Sequence, residues 1–341
     1  MSNANGHKNF TASGDKDAEM LLEKVLREIG CTLSGTELCV CLGGSYGRGD
    51  GGVRKDRENG ILYNDLDFFV FARKHSDHAE KLLKEIAEKY EIELKVDVDF
   101  SRIMNVDDIK NNASRLMMQE LKRGYHLVCG EDLPDEYLPE IPAEKLPYSE
   151  ACRLLLNRGM GLLMAGEKIS QASAETDFIL RNIYKAVLGA CDAILIASGQ
   201  YRWRLADRVE AITAIDMPGD WKNLYVEAVE FKSSPHRQQK ADMISFWNCV
   251  RDFFQAAIIR CAGENDLLAE LYRRSSMNGE TAIRNFIKYV VKNRTLPLKN
   301  WKYYTAPTVV LLVNDVYTAL HKIPENGVWK SKLYQQWLIF N

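Results

Sequence analysis

Residues 37–51 read ELCVCLGGSYGRGDG and residues 64–72 read NDLDFFVFA, and the order of these two stretches decides the architecture. In the first, the short apolar run Leu38–Leu42 ends in Gly43-Gly44-Ser45, the pattern of a buried strand entering a tight turn. In the second, Asp65 and Asp67 lead into the apolar run Phe68–Phe71, which predicts another strand. Residues two apart on a strand share a face, so Asp65 and Asp67 project together. Paired carboxylates repel unless a cation lies between them. Hard oxygen donors suit Mg²⁺, which takes one or two carboxylates and completes its shell with water and phosphate oxygens. Without side chains, Gly43 and Gly44 let backbone N–H groups approach phosphate, and the Ser45 hydroxyl adds a donor.

Working outward, Ile92–Phe100 (IELKVDVDF) alternates strictly and predicts a third strand. Ile92, Leu94, Val96, Val98 and Phe100 fall on one face, with Glu93, Lys95, Asp97 and Asp99 on the other. A third carboxylate from this strand would complete a site suited to two-metal phosphoryl or nucleotidyl transfer, and Asp97 and Asp99 both qualify. The five glycines and alternating charges of Gly47–Gly60 predict a mobile surface loop. Helical spacing marks Ala18–Ile29, stopped by Gly30, then Asp77–Tyr90 and Val106–Gly124, with a short strand at Tyr125–Cys129. Residues 1–17 are polar and are expected to be flexible. Pro134, Pro139, Pro142 and Pro147 resemble a linker, placing a boundary near 145 between domains 18–145 and 146–341. Beyond it the periodicity is helical: about 149–165, 177–199, 205–215, 241–262, 282–293 and 308–322.

These residues resemble the DNA polymerase beta-like nucleotidyltransferases, whose signature is a hydrophobic residue, Gly, Gly or Ser, then Asp-x-Asp and a later third Asp. Here the matching residues are Leu42, Gly43-Gly44-Ser45, Asp65-x-Asp67, and Asp97 or Asp99. Gly44–Gly51 also looks like the G-S-x-A-R-G-acid-A form of the small-substrate branch, which includes antibiotic nucleotidyltransferases. The resemblance covers roughly residues 35–130. It implies an α+β fold, a nucleotidyltransferase-type mixed β-sheet flanked by helices and followed by an all-helical C-terminal domain, with the active site in the cleft between them. It further implies an NTP co-substrate and two Mg²⁺ ions held by Asp65, Asp67 and Asp97, with Asp99 as the alternative third carboxylate. Asp97 is favoured because the acid in this pattern often follows a basic and an aliphatic residue, as in Lys95-Val96-Asp97. Gly43, Gly44, Ser45 and Arg48 would meet the phosphates. Lys185, with Arg181 beside it, would join them, because related transferases reach the nucleotide with a lysine from the first helices of the C-terminal domain. One departure stands out: 19 residues separate Ser45 from Asp65, more than is usual in the family, which points to an insertion at Gly51–Tyr63.

Composition narrows the partners. Lys plus Arg number 45 against 47 for Asp plus Glu, a net charge of −2 with no overall field that would draw the chain to nucleic acid. The exception is Leu268–Asn341, with 11 basic and 4 acidic residues among many aromatics, a mixture that can bind single strands or acidic polymers but is better read as packing a helical domain with a solvated charged face. No apolar run is long enough for a membrane span, and residues 1–17 carry no signal peptide, so a cytoplasmic protein is expected. Eight scattered cysteines without a C-x-x-C pair read as reduced thiols. His75 and His78 lack the partners of a zinc site. The expected reaction is transfer of NMP from an NTP to a hydroxyl of a small acceptor, a sugar or aminoglycoside-like molecule. Rival expectations are synthesis of an oligonucleotide or cyclic dinucleotide, nucleotidylation of a protein, and nucleotide sensing without catalysis.

Overall fold

A computed structural model describes residues 9–54, 60–73, 77–235, 242–262, 308–321, 333–334 and 337–338. The chain divides into two compact units: 1–142 with 229–236, and 143–228 with 237–341. The expected helix 282–293, His75 and most of the basic aromatic segment lie outside the described residues.

The first unit is built on β1 (Leu38–Leu42), β2 (Leu66–Ala72), β3 (Val98–Phe100) and β4 (His126–Cys129). They form one mixed sheet in the order β3-β2-β1-β4. β1 runs antiparallel to β2 and to β4, whereas β2 and β3 are parallel. Alternation along β1 and β2 feeds two cores. Leu38, Val40, Leu42, Leu66, Phe68 and Val70 face one, covered by α1 (Lys16–Thr32) and α3 (Asp77–Leu94). Cys39, Cys41, Phe69 and Phe71 face the other, with Ile109 of α4 (Val106–Asn111), Met118 and Leu121 of α5 (Leu116–Arg123) and Leu133 of α6 (Leu133–Tyr137). Asp15 caps α1 by accepting from the Ala18 amide, and the helix runs past Gly30 to Thr32. Phe10 and Thr11, within the stretch expected to be flexible, are buried, and the Glu19 carboxylate accepts from both of their amides.

Three local expectations are corrected. Ile92–Phe100 is not one strand: α3 continues to Leu94, the chain reverses at Lys95 in the left-handed region (φ 57°), and only Val98–Phe100 pairs. The helix predicted over Val106–Gly124 is two helices. Asn112 ends the first by turning its side-chain amide back to the Asp108 carbonyl, a local bond that competes with helix propagation. In the loop expected over Gly47–Gly60, Val53 is not at the surface: it bridges Leu62 and both are buried in the core of the first unit, while residues 55–59 lie outside the described residues.

The second unit is helical among the described residues: α7 (Tyr148–Ser170), α8 (Thr176–Ala197), α9 (Leu205–Ala214), most of α10 (Gly219–Ser233), α11 (Met243–Ala262) and α12 (Thr308–Leu320), after a short 3₁₀ turn at Ala143–Lys145. α7, α8, α11 and α12 pack together, and the Trp247 indole N–H of α11 donates to the Leu162 carbonyl of α7 at 2.8 Å. No helix among the described residues is long and apolar enough to cross a membrane.

Candidate active site

β1 ends where the apolar run ends, and the chain turns through Gly43 into the single helical turn α2 (Gly44–Gly47). The Gly43 amide donates to the Asp67 carbonyl at 2.8 Å, fastening this turn to the start of β2. Gly44 has φ +61°, and a Cβ added to it would come within 2.0 Å of Asp67 Oδ2. The turn therefore cradles the Asp67 carboxylate in space that only a glycine leaves open. Asp65 and Asp67 are both partly buried, one just before β2 and one within it.

The parallel pairing of β2 with β3 sets Asp67 opposite Asp99. Asp97 precedes β3, and its carbonyl accepts from the Leu66 amide at 2.9 Å. The Asp99 carboxyl is raised above the usual carboxylate range by burial first and then by the charges of Asp65, Asp97 and Glu91. Asp65 and Asp99 thus feel one another across the two strands. Among the described residues, no cluster of three or more His, Cys, Asp or Glu side chains is gathered in a form that would hold a metal ion. The donor chemistry still suits Mg²⁺: the cradled Asp67 and its neighbours offer carboxylate oxygen, and this ion needs only one or two carboxylates beside water and phosphate.

Arg48 is engaged in the turn itself. Its Nη1 lies 3.2 Å from Glu120 Oε2 on α5 and its Nε 3.8 Å from Asp50 Oδ2. Lys232, in the 229–236 segment that belongs to the first unit, approaches the same Asp50 oxygen at 3.6 Å. Lys185 and Arg181 are half-buried on α8 of the second unit. On the side of α8 that carries them, Gly189 is buried with the Arg158 stem against it and Asp192 pairs with Arg208.

The residue that sequence reasoning passed over is Tyr46, between Ser45 and Gly47. It is fully buried, and its hydroxyl donates to the Gly52 carbonyl at 2.9 Å while accepting from the amides of Tyr63 at 3.0 Å and Asn64 at 3.3 Å. Burial pushes its phenol up, against the two amides, and the Asp65 carboxylate adds to the rise. The sequence shows only an aromatic residue directly after the motif serine, with nothing to mark it as buried. No family model, curated protein or solved structure matches this chain.

Proposed function

We propose that the chain is a Mg²⁺-dependent nucleotidyltransferase that moves a nucleoside monophosphate from an NTP to a hydroxyl of a small-molecule acceptor and releases pyrophosphate. The observation that carries this reading is the seating of Asp67 against Gly44, which sets a strand-borne carboxylate pair beside a turn rich in backbone donors. The mixed sheet with helices on both faces agrees with the nucleotidyltransferase-type fold that the motif resembles.

In this reading Asp65 and Asp67 hold the ions, whose charge would offset the negative charge that builds on the leaving pyrophosphate. We assign the third carboxylate to Asp99 rather than Asp97, since Asp99 is the one registered with Asp67 across the β2–β3 pair. The acceptor oxygen forms the new bond to the α-phosphorus, the bond to the pyrophosphate oxygen breaks, and the acceptor proton passes to the Asp99 carboxylate. Gly44 and Ser45 donate to the β- and γ-phosphate oxygens, while Gly43, whose amide is taken by the Asp67 carbonyl, holds the turn against β2. Arg48 is assigned to the same charge by resemblance.

Pyrophosphate release from each of the four NTPs with Mg²⁺ and a pooled set of small hydroxylated acceptors tests the proposal. Asp67→Asn is expected to abolish release while the variant keeps its fold and most of its nucleotide binding. Undiminished release by Asp67→Asn removes the assignment. Release that depends on Asp67 but needs no acceptor replaces the small acceptor with an NTP-only product or self-modification.

A further inference from the structure

We propose that Tyr46 is a positioning residue that fixes Asp65 relative to the Gly43–Ser45 turn across the 19 residues that separate Ser45 from Asp65; the inference rests on the nucleotidyltransferase reading. The turn and the first metal-binding carboxylate are far apart in sequence, yet they must be held at fixed separation for one ion to serve both the protein and a phosphate. Tyr46 spans that distance with a single side chain. Its backbone follows Ser45 directly, and its hydroxyl takes up the amides of Tyr63 and Asn64, the two residues that lead into Asp65.

The same hydroxyl donates to Gly52 at the other arm of the insertion, whose amide donates to the Asn64 side chain at 2.7 Å. Both arms are thereby clamped at their base, and the chain between them can lengthen without displacing Asp65. The hydroxyl acts as a hydrogen-bonding node only. Its phenol is held protonated by burial, so no titration of it enters the reaction.

The test compares wild type with Tyr46→Phe, Asn64→Ala, Asp67→Asn and Leu83→Ala. The last truncates a buried side chain of α3 that makes none of the clamp's hydrogen bonds and sets the scale for a purely structural loss. Mn²⁺ affinity is read by electron paramagnetic resonance, beside thermal melting and steady-state kinetics. Tyr46→Phe is expected to weaken Mn²⁺ binding at least about tenfold and to lower kcat about 10²-fold with the NTP KM nearly unchanged. Leu83→Ala is expected to melt at least as early with neither change.

Equal Mn²⁺ affinity and kcat in Tyr46→Phe and Leu83→Ala overturns the inference. If Tyr46→Phe does not fold, Asn64→Ala carries the comparison by removing the side-chain oxygen that accepts from the Gly52 amide and joins the two arms beside the Tyr46 hydroxyl. If wild type binds Mn²⁺ but releases no pyrophosphate, the transfer reading falls and Tyr46 is judged on Mn²⁺ affinity alone. If Asp67→Asn binds Mn²⁺ as wild type does, or neither binds it, both fall.

Discussion

The Asp67 carboxylate rests on Gly44, so closely that a Cβ at position 44 would stand 2.0 Å from Oδ2. Two consequences of a Gly44→Ala substitution can be separated. An L residue at φ +61° costs about 1–2 kcal/mol of stability whatever surrounds it. The new methyl must also displace the carboxylate, and a shift of about 1 Å in a reacting group lowers turnover about 10²-fold. Gly35, at φ +86° with nothing within 4 Å, gives the control. Gly35→Ala is expected to lose similar stability in urea denaturation and no pyrophosphate release; equal activity of the two variants would detach Gly44 from the site.

Much of this arrangement was legible before any coordinates. Leu38–Leu42 and Phe68–Phe71 read as strands because a segment buried on both faces must be apolar throughout. Asp65 and Asp67 stood out by breaking that rule at the strand's beginning. Other parts were hidden for definable reasons. Ile92–Phe100 alternates in polarity, but Ile92 is 81 % exposed, and the preceding helix simply runs on until Lys95 reverses the chain. α10 went unread behind Pro218 and Gly219, with charged residues interleaved among its buried Leu224, Tyr225, Ala228 and Phe231. That 229–236 groups with the first unit, and that the Tyr46 hydroxyl reaches residues 63 and 64, are tertiary facts carried by no local pattern.

Arg48 is expected to have a structural and a ligand-binding share. Glu120 accepts its guanidinium at 3.2 Å with both side chains less than a fifth exposed. Arg48→Met removes this ion pair and is expected to cost about 2 kcal/mol, while Glu120→Gln costs about 1 kcal/mol. If Arg48 also meets phosphate, the Met variant raises the NTP KM about tenfold and the Gln variant does not. A KM unmoved by Arg48→Met would confine Arg48 to its ion pair.

In the second unit, Arg208 is 3 % exposed and donates from Nη1 to Asp192 Oδ2 at 3.1 Å and to the Tyr201 hydroxyl at 2.6 Å. Removing one partner of a buried pair leaves an uncompensated charge, so Arg208→Met is expected to cost about 3–5 kcal/mol. Arg208→Met combined with Asp192→Leu is expected to recover a large part of that loss, because both charges of the pair are then removed together. Urea denaturation of the two variants decides it. A double variant no more stable than the single one would show that packing, rather than the charge, sets the cost.

The raised Asp99 carboxyl gives a prediction whose sign follows from linkage. A carboxyl that titrates higher in the folded chain than in the unfolded one favours folding while protonated, and that contribution is lost as pH rises through its folded value. At neutral pH Asp99 is therefore a charge held against Asp65, Asp97 and Glu91, and Asp99→Asn is expected to raise the melting temperature. Below the ordinary carboxylate range the advantage of the Asn variant disappears, since wild-type Asp99 is then neutral in both states. Mg²⁺ relieves the same repulsion and is expected to raise the wild-type melting temperature at neutral pH, with a smaller effect on Asp99→Asn and on Asp67→Asn. Asp97→Asn is expected to retain most of the Mg²⁺ response. Thermal melts across pH, with and without Mg²⁺, separate these cases: an Asp99→Asn variant less stable than wild type at neutral pH, or a Mg²⁺ response lost with Asp97 rather than Asp99, would return the third carboxylate to Asp97.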